Sequence, residues 1–91
     1  MTTPRPAIVL DPGDNVATAL VPLAAGQTVG VGETTVALAV DIPRGHKFAL
    51  RAIAQDEPVV KYGQPIGRAT APIEPGQHVH VHNVASQRAG A

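Results

Sequence analysis

His78, His80 and His82 stand at alternate positions in Gly76-Gln77-His78-Val79-His80-Val81-His82-Asn83, the densest cluster of side-chain chemistry in this 91-residue chain. Successive side chains of an extended strand point to opposite faces, so the three imidazoles share one face and Val79 and Val81 the other. At a rise of about 3.3 Å per residue, neighbours on that face lie roughly 6.6 Å apart at the backbone. Two imidazoles so spaced can converge on one metal ion, whose nitrogen ligands sit at about 2.1 Å. The same alternation also describes a plain half-exposed edge strand with a wet polar face. The chain has no cysteine, no His-Glu-x-x-His helix and no third ligand at diagnostic spacing. The cluster therefore reads as part of a site that another surface completes.

Other chemistry is thinner. His46 and Lys47 follow the turn Pro43-Arg44-Gly45, where a positive charge can hold a carboxylate and an imidazole can move a proton near neutral pH. Both also fit as ordinary polar residues flanking a turn. Lys61 is a candidate anion contact or a plain surface charge, and Tyr62 reads as packing with its hydroxyl at the rim. Asp14 and Asn15 read as turn formers after Pro12-Gly13, and Arg44, Arg51 and Arg68 as solvated. The carboxylates are scattered, with no paired acid and base, no Gly-x-Ser-x-Gly and no phosphate loop.

The elements that position these residues are short. Nine glycines and nine prolines break the apolar runs every eight to twelve residues, which marks an all-β domain. The spacing predicts strands over 7–10, 14–23 and 46–54, and over 59–62 and 66–71, before the histidine strand. A hairpin is expected from Thr28–Val31 and Thr34–Val40 around Gly32-Glu33. Segments around Gly26, Gly45 and Gly76 share one scheme, an apolar residue three before the glycine and another three after it. Each reads as strand, tight turn and new strand, with glycine free to take positive φ. A leader over 1–6, a domain over 7–84 and a frayed tail over 85–91 are expected.

Composition narrows the function class. A hydrophobic share of 44% suits a folded domain, and zero cysteines exclude a disulfide scaffold. Seven basic and seven acidic side chains cancel, and Phe48 and Tyr62 are the sole aromatics of the Phe/Tyr/Trp class, which argues against a nucleic-acid partner. No run of eighteen apolar residues and no signal-peptide layout occur, so a cytoplasmic protein without membrane contact is expected.

At Asp14-Asn15-Val16-Ala17-Thr18-Ala19-Leu20 and Asp41-Ile42-Pro43-Arg44-Gly45-His46-Lys47-Phe48-Ala49-Leu50 the chain resembles a known family. Lys61-Tyr62-Gly63-Gln64-Pro65-Ile66-Gly67-Arg68-Ala69-Thr70 and His80-Val81-His82-Asn83 continue the likeness. It resembles the SAF domain of altronate and galactarate dehydratases, which also occurs as the small subunit of sulfolactate sulfo-lyase. The resemblance implies a β-clip fold and a non-autonomous subunit that completes the active site of a large catalytic dehydratase subunit. It implies a divalent metal, iron(II), held mainly by that partner, and loss of water beside the carboxylate of a sugar acid. On this resemblance His46, Lys47 and His82 are the catalytic candidates, Lys61 and Asn83 contact substrate, and His80 and His82 bind metal. His78 is extra to the family signature. A sulfo-lyase small subunit and a non-catalytic SAF binding module are the rival readings, and a homo-oligomer is left open.

Overall fold

A computed structural model of the chain describes residues 6–86, and among them are nine strands and no helix. No helix is long and apolar enough to cross a membrane. The strands are β1 (Ala7–Ile8), β2 (Val16–Ala19), β3 (Thr28–Val31), β4 (Thr34–Ala37), β5 (Lys47–Ala49), β6 (Pro58–Lys61), β7 (Gln64–Ala69), β8 (His78–Val79) and β9 (Val84–Ser86). An antiparallel sheet of order β1-β2-β5-β8 lies at the centre, flanked by the β3-β4 hairpin and the three-stranded sheet β6-β7-β9. The all-β expectation holds.

Alternation along β5 explains the layout. Phe48 belongs to one hydrophobic cluster, with Ala17, Leu23, Val29, Val36 and Ile42. The next residue, Ala49, belongs to a second, with Val16, Ile53, Val59, Ile73 and Val79. The central sheet is thus covered on both faces, and Phe48, Val59 and Val79 have no exposed surface.

The chain is built twice over. Leu23 pairs with Ile42 and Ile53 with Ile73 through isolated bridges, and each pair brackets a hairpin, β3-β4 or β6-β7. Equivalent residues of the halves lie about 30 positions apart, a supersecondary duplication. Each bridging residue immediately precedes a tight turn whose third residue has positive φ: Gly26 at 85°, Gly45 at 84°, Asp56 at 71° and Gly76 at 83°. Three of these turns follow from glycine spacing. The fourth is a break expected at Gln55-Asp56-Glu57-Pro58, but not as a member of the repeat, because Asp56 fills the glycine place, one of the few side chains that tolerate the left-handed region.

The two hairpins turn differently. In β3-β4 Gly32 takes φ 60°, whereas Tyr62 and Gly63 both go positive in β6-β7, at 57° and 73°. A bulky residue in that region is strained unless something holds it. Asp14 does so: its buried carboxylate accepts the Tyr62 N–H at 2.9 Å and the Gly63 N–H at 2.8 Å. Asn15, fully buried, donates to the Pro58 carbonyl and accepts the Val60 N–H, standing in for a strand edge. Asp14 and Asn15 are therefore clamps on the second hairpin and not only turn formers. Pro65 is accommodated by a register shift: Val60 pairs with Pro65 and Val59 with Gly67, leaving Ile66 as the extra residue.

Several expected boundaries move. The run over 14–23 is a strand only from Val16 to Ala19, and the run over 46–54 only from Lys47 to Ala49, since each gives way to a turn of the repeated design. The 59–62 and 66–71 segments are one hairpin with a two-residue turn. The C-terminal strand β9 pairs with β7 through Ser86, two residues past the expected end of the domain. Of the expected leader and tail, residues 1–5 and 87–91 lie outside the described residues.

Candidate metal centre

The largest departure falls on the histidine strand. Only His78 and Val79 are extended, and residues 81–83 form a turn. Two causes are visible. The partner strand β5 begins at Lys47, which pairs with Val79, so no neighbour remains for residues beyond. Asn83 then takes over the backbone groups: its Oδ1 accepts the His80 N–H at 2.9 Å and its Nδ2 donates to the His78 carbonyl at 2.8 Å. A short amide side chain bonding its own neighbourhood competes with the ladder and bends the chain. Val81, expected to face inward, is 82% exposed at the tip.

The bend changes which imidazoles meet. The His46 ring stacks on His80 with centroids 4.4 Å apart and on His78 at 5.0 Å, and His78 and His80 stack at 5.3 Å. His46 Nδ1 lies 2.8 Å from His78 Nε2, so one of these nitrogens carries the proton and the other accepts it. Backbone pairing fixes the ring bases. The Ala19 N–H donates to the His46 carbonyl at 2.8 Å, and Phe48 lies opposite His78 in the β5-β8 register.

One ligand atom from each of His46, His78 and His80 lies within 4.8 Å of the others. Nitrogens bound tetrahedrally at about 2.1 Å from a metal are about 3.4 Å from each other, inside that span. The residues present fit a divalent ion. Three imidazoles match in number the protein ligands of catalytic zinc sites, and imidazole suits iron, zinc, copper and nickel.

Electrostatics favour the neutral rings that metal binding needs. His78 is held below the ordinary imidazole value chiefly by burial, then by His46, His82, His80 and Lys47. His80 is lowered likewise, first by loss of solvent and then by His46, Lys47 and His82. Lys47 is lowered by burial and by the charge of Lys61. A proton bound more weakly in the folded than in the unfolded chain makes stability rise with pH. The melting temperature of the metal-free protein is therefore expected to fall as pH drops below about 6.5. Scanning calorimetry at pH 7.5 and 5.5 measures this, and His78→Gln is expected to shrink the difference.

The remaining sequence candidates scatter around this group. His82 is exposed and lies outside it, tilted against His78 at 5.4 Å. Lys47 shares a cleft with His80, Ile66 and Val81. Lys61 places its ammonium 4.7 Å from the Tyr62 ring centre, and Tyr62 itself is 49% exposed rather than packed. Asn83 spends both amide atoms on the bend, so it supports His78 and His80 from behind. Arg51 is not simply solvated but pairs with Glu57 at 2.9 Å on the surface, where an ion pair contributes little. Sequence reasoning passed over His78 as a ligand and gave His46 a proton-transfer role. The signal that could have linked them is the turn repeat, which delivers His46 to the strand beside His78.

The sequence model of the altronate/galactarate dehydratase SAF domain matches residues 5–87. Altronate dehydratase of Escherichia coli (strain K12) is 57% identical over 70 residues, covering 77% of this chain and 14% of that protein. Altronate dehydratase of Bacillus subtilis (strain 168) is 43% identical over the same length and with the same coverage. The (2R)-sulfolactate sulfo-lyase subunit alpha of Chromohalobacter salexigens is 55% identical over 47 residues, covering 52% of this chain and 50% of that subunit. This chain spans about one seventh of the altronate dehydratases it matches. Match and fold agree: the chain belongs to the SAF-domain family of the altronate and galactarate dehydratases.

Proposed function

We propose that this chain is the SAF subunit of a metal-dependent sugar-acid dehydratase and completes the active site of a large catalytic partner. The observation that carries the reading is the clustering of His46, His78 and His80, which bring one ligand nitrogen each to within 4.8 Å of the others. Support for the substrate class comes from the 57% identity to a protein named altronate dehydratase. Support for a larger catalytic portion outside this domain comes from the 14% of that protein that this chain covers.

In this reading His46, His78 and His80 contribute imidazole ligands and the partner supplies the rest of the site. The ion, iron(II) in our proposal, supplies Lewis-acid polarisation of a substrate oxygen when bound. Lys47 and Lys61 bring positive charge for the substrate carboxylate. In the same reading His82, which is exposed beside His78, gives a proton to the departing hydroxyl. The base that removes the proton next to the carboxylate then belongs to the partner. Asn83 keeps the bend in shape and reaches the substrate only through the rings it supports.

Elimination of sulfite in place of water is the second reading, favoured by the 55% identity to a sulfolactate sulfo-lyase subunit of which this chain covers half. One reconstitution separates them. The chain is combined with a large dehydratase-type chain from the same genome and ferrous iron, then offered altronate, galactarate or sulfolactate. Dehydration that requires both chains is expected, with a drop of at least about a hundredfold in His80→Gln. Full activity of the large chain alone removes the role assigned here, and sulfite release transfers it to the second reading.

A further inference from the structure

Comparison of the four repeated turns singles out His46. In each, the fourth residue donates its N–H to the carbonyl of the first: Gln27 to Ala24 at 3.1 Å, His46 to Pro43 at 3.0 Å, Glu57 to Ala54 at 3.0 Å and Gln77 to Glu74 at 3.1 Å. In three of them the fourth side chain also folds back onto the turn. Gln27 Oε1 accepts the Ala24 N–H at 3.1 Å, Glu57 Oε1 the Ala54 N–H at 2.9 Å and Gln77 Oε1 the Glu74 N–H at 2.8 Å. The remaining turn begins with Pro43, which has no N–H to offer. His46 therefore occupies a capping place with nothing to cap, and its Nδ1 meets His78 instead.

We propose that Pro43 is a positioning residue for the imidazole cluster: it removes the one backbone donor that would hold the His46 ring on its own turn, and so leaves the ring free to face His78 and His80. The inference rests on the metal reading above only for what the cluster then does. A backbone N–H at position 43 competes for the His46 ring by offering a donor to its unprotonated nitrogen, and one such bond shifts an equilibrium by roughly two- to tenfold. Pro43 is exposed and the turn keeps its own backbone bond without it, so Pro43→Ala leaves the fold standing.

Two measurements on the whole chain test this. Cobalt(II) titration, read from the metal's visible absorption, is expected to show two- to tenfold weaker binding in Pro43→Ala than in the unaltered protein. The second measurement needs no metal. His46→Gln is made in both backgrounds and the unfolding equilibria form a double-mutant cycle, in which the effect of proline on the unfolded chain cancels. Glutamine can cap only where residue 43 carries an N–H. His46→Gln is therefore expected to be two- to tenfold more favourable for folding in the Pro43→Ala background. An additive cycle, or unchanged cobalt affinity in Pro43→Ala, overturns the proposal while leaving the metal reading intact. A coupled cycle in a protein that binds no cobalt upholds the release of His46 and removes the metal reading instead.

Discussion

His78→Gln is expected to weaken divalent-metal binding by at least about a hundredfold, while His82→Gln changes it threefold or less. Loss of groups that merely orient a ligand costs about 10- to 100-fold, and loss of the ligand itself sits at or beyond the upper end. His78 is the hub of the group: its Nε2 lies 2.8 Å from His46 Nδ1, and its ring also stacks on His80. His82 is tilted against the flank of His78 and, among the described residues, is not part of the group whose ligand nitrogens lie within 4.8 Å of one another. Competition titration against a chromophoric chelator at pH 7.5 measures both variants. Glutamine keeps the side-chain volume, so loss of packing does not imitate loss of a ligand. Equal effects of the two substitutions would return the ligand role to the His80–His82 pair that the sequence pattern favours.

That contrast shows how the site was half legible. Alternating His and Val is a period-two signal and reads as a strand. A strand, however, needs a neighbour to bond with, and which residues have one is a matter of tertiary register. Here β5 ends the pairing at Val79, and Asn83 folds the next residues into a turn. The cluster was visible in composition, but its membership depended on His46, which lies about thirty residues away and arrives through the β5-β8 pairing.

The architecture read more clearly where local chemistry decides it. Gly32-Glu33 marked the first hairpin, and the glycines of three turns marked the repeat, because positive φ restricts the residue type directly. The fourth turn was legible as a break in the chain but not as part of the repeat, because Asp56 replaces glycine. The second hairpin was legible as two strands about Gly63 but not as a two-residue turn, because Tyr62 stands where that turn needs positive φ, held by a carboxylate 48 residues away in sequence. Where one residue imposes the conformation the sequence is readable. Where a distant side chain imposes it, the sequence is silent until the fold is known.

The same turns supply the second large expectation, because they offer a matched pair. Gly45 and Gly76 hold the same place in the repeated turn with almost the same φ, 84° and 83°. A Cβ at Gly45 meets nothing within 4 Å, whereas a Cβ at Gly76 would sit 2.0 Å from the Ala37 carbonyl oxygen. That oxygen is backbone and cannot swing aside as a side chain could. The Gly76 carbonyl also accepts the Ala39 N–H at 3.1 Å and its N–H donates to Ala49 at 2.9 Å, so the turn is tied on both sides. Gly45→Ala is expected to cost only the left-handed backbone penalty, about 1–2 kcal/mol. Gly76→Ala carries that penalty and the clash together and is expected to cost at least about 4 kcal/mol, the range reserved for severe core defects. A domain of this size has little more than about 5 kcal/mol to lose, so Gly76→Ala should be largely unfolded at 37 °C while Gly45→Ala remains folded. Urea unfolding of the two variants side by side isolates the contact from the φ preference, since only the contact differs. Similar midpoints would mean that the β4 exit can yield. The close approach of Gly76 to Ala37 would then not be what fixes the start of the strand carrying His78.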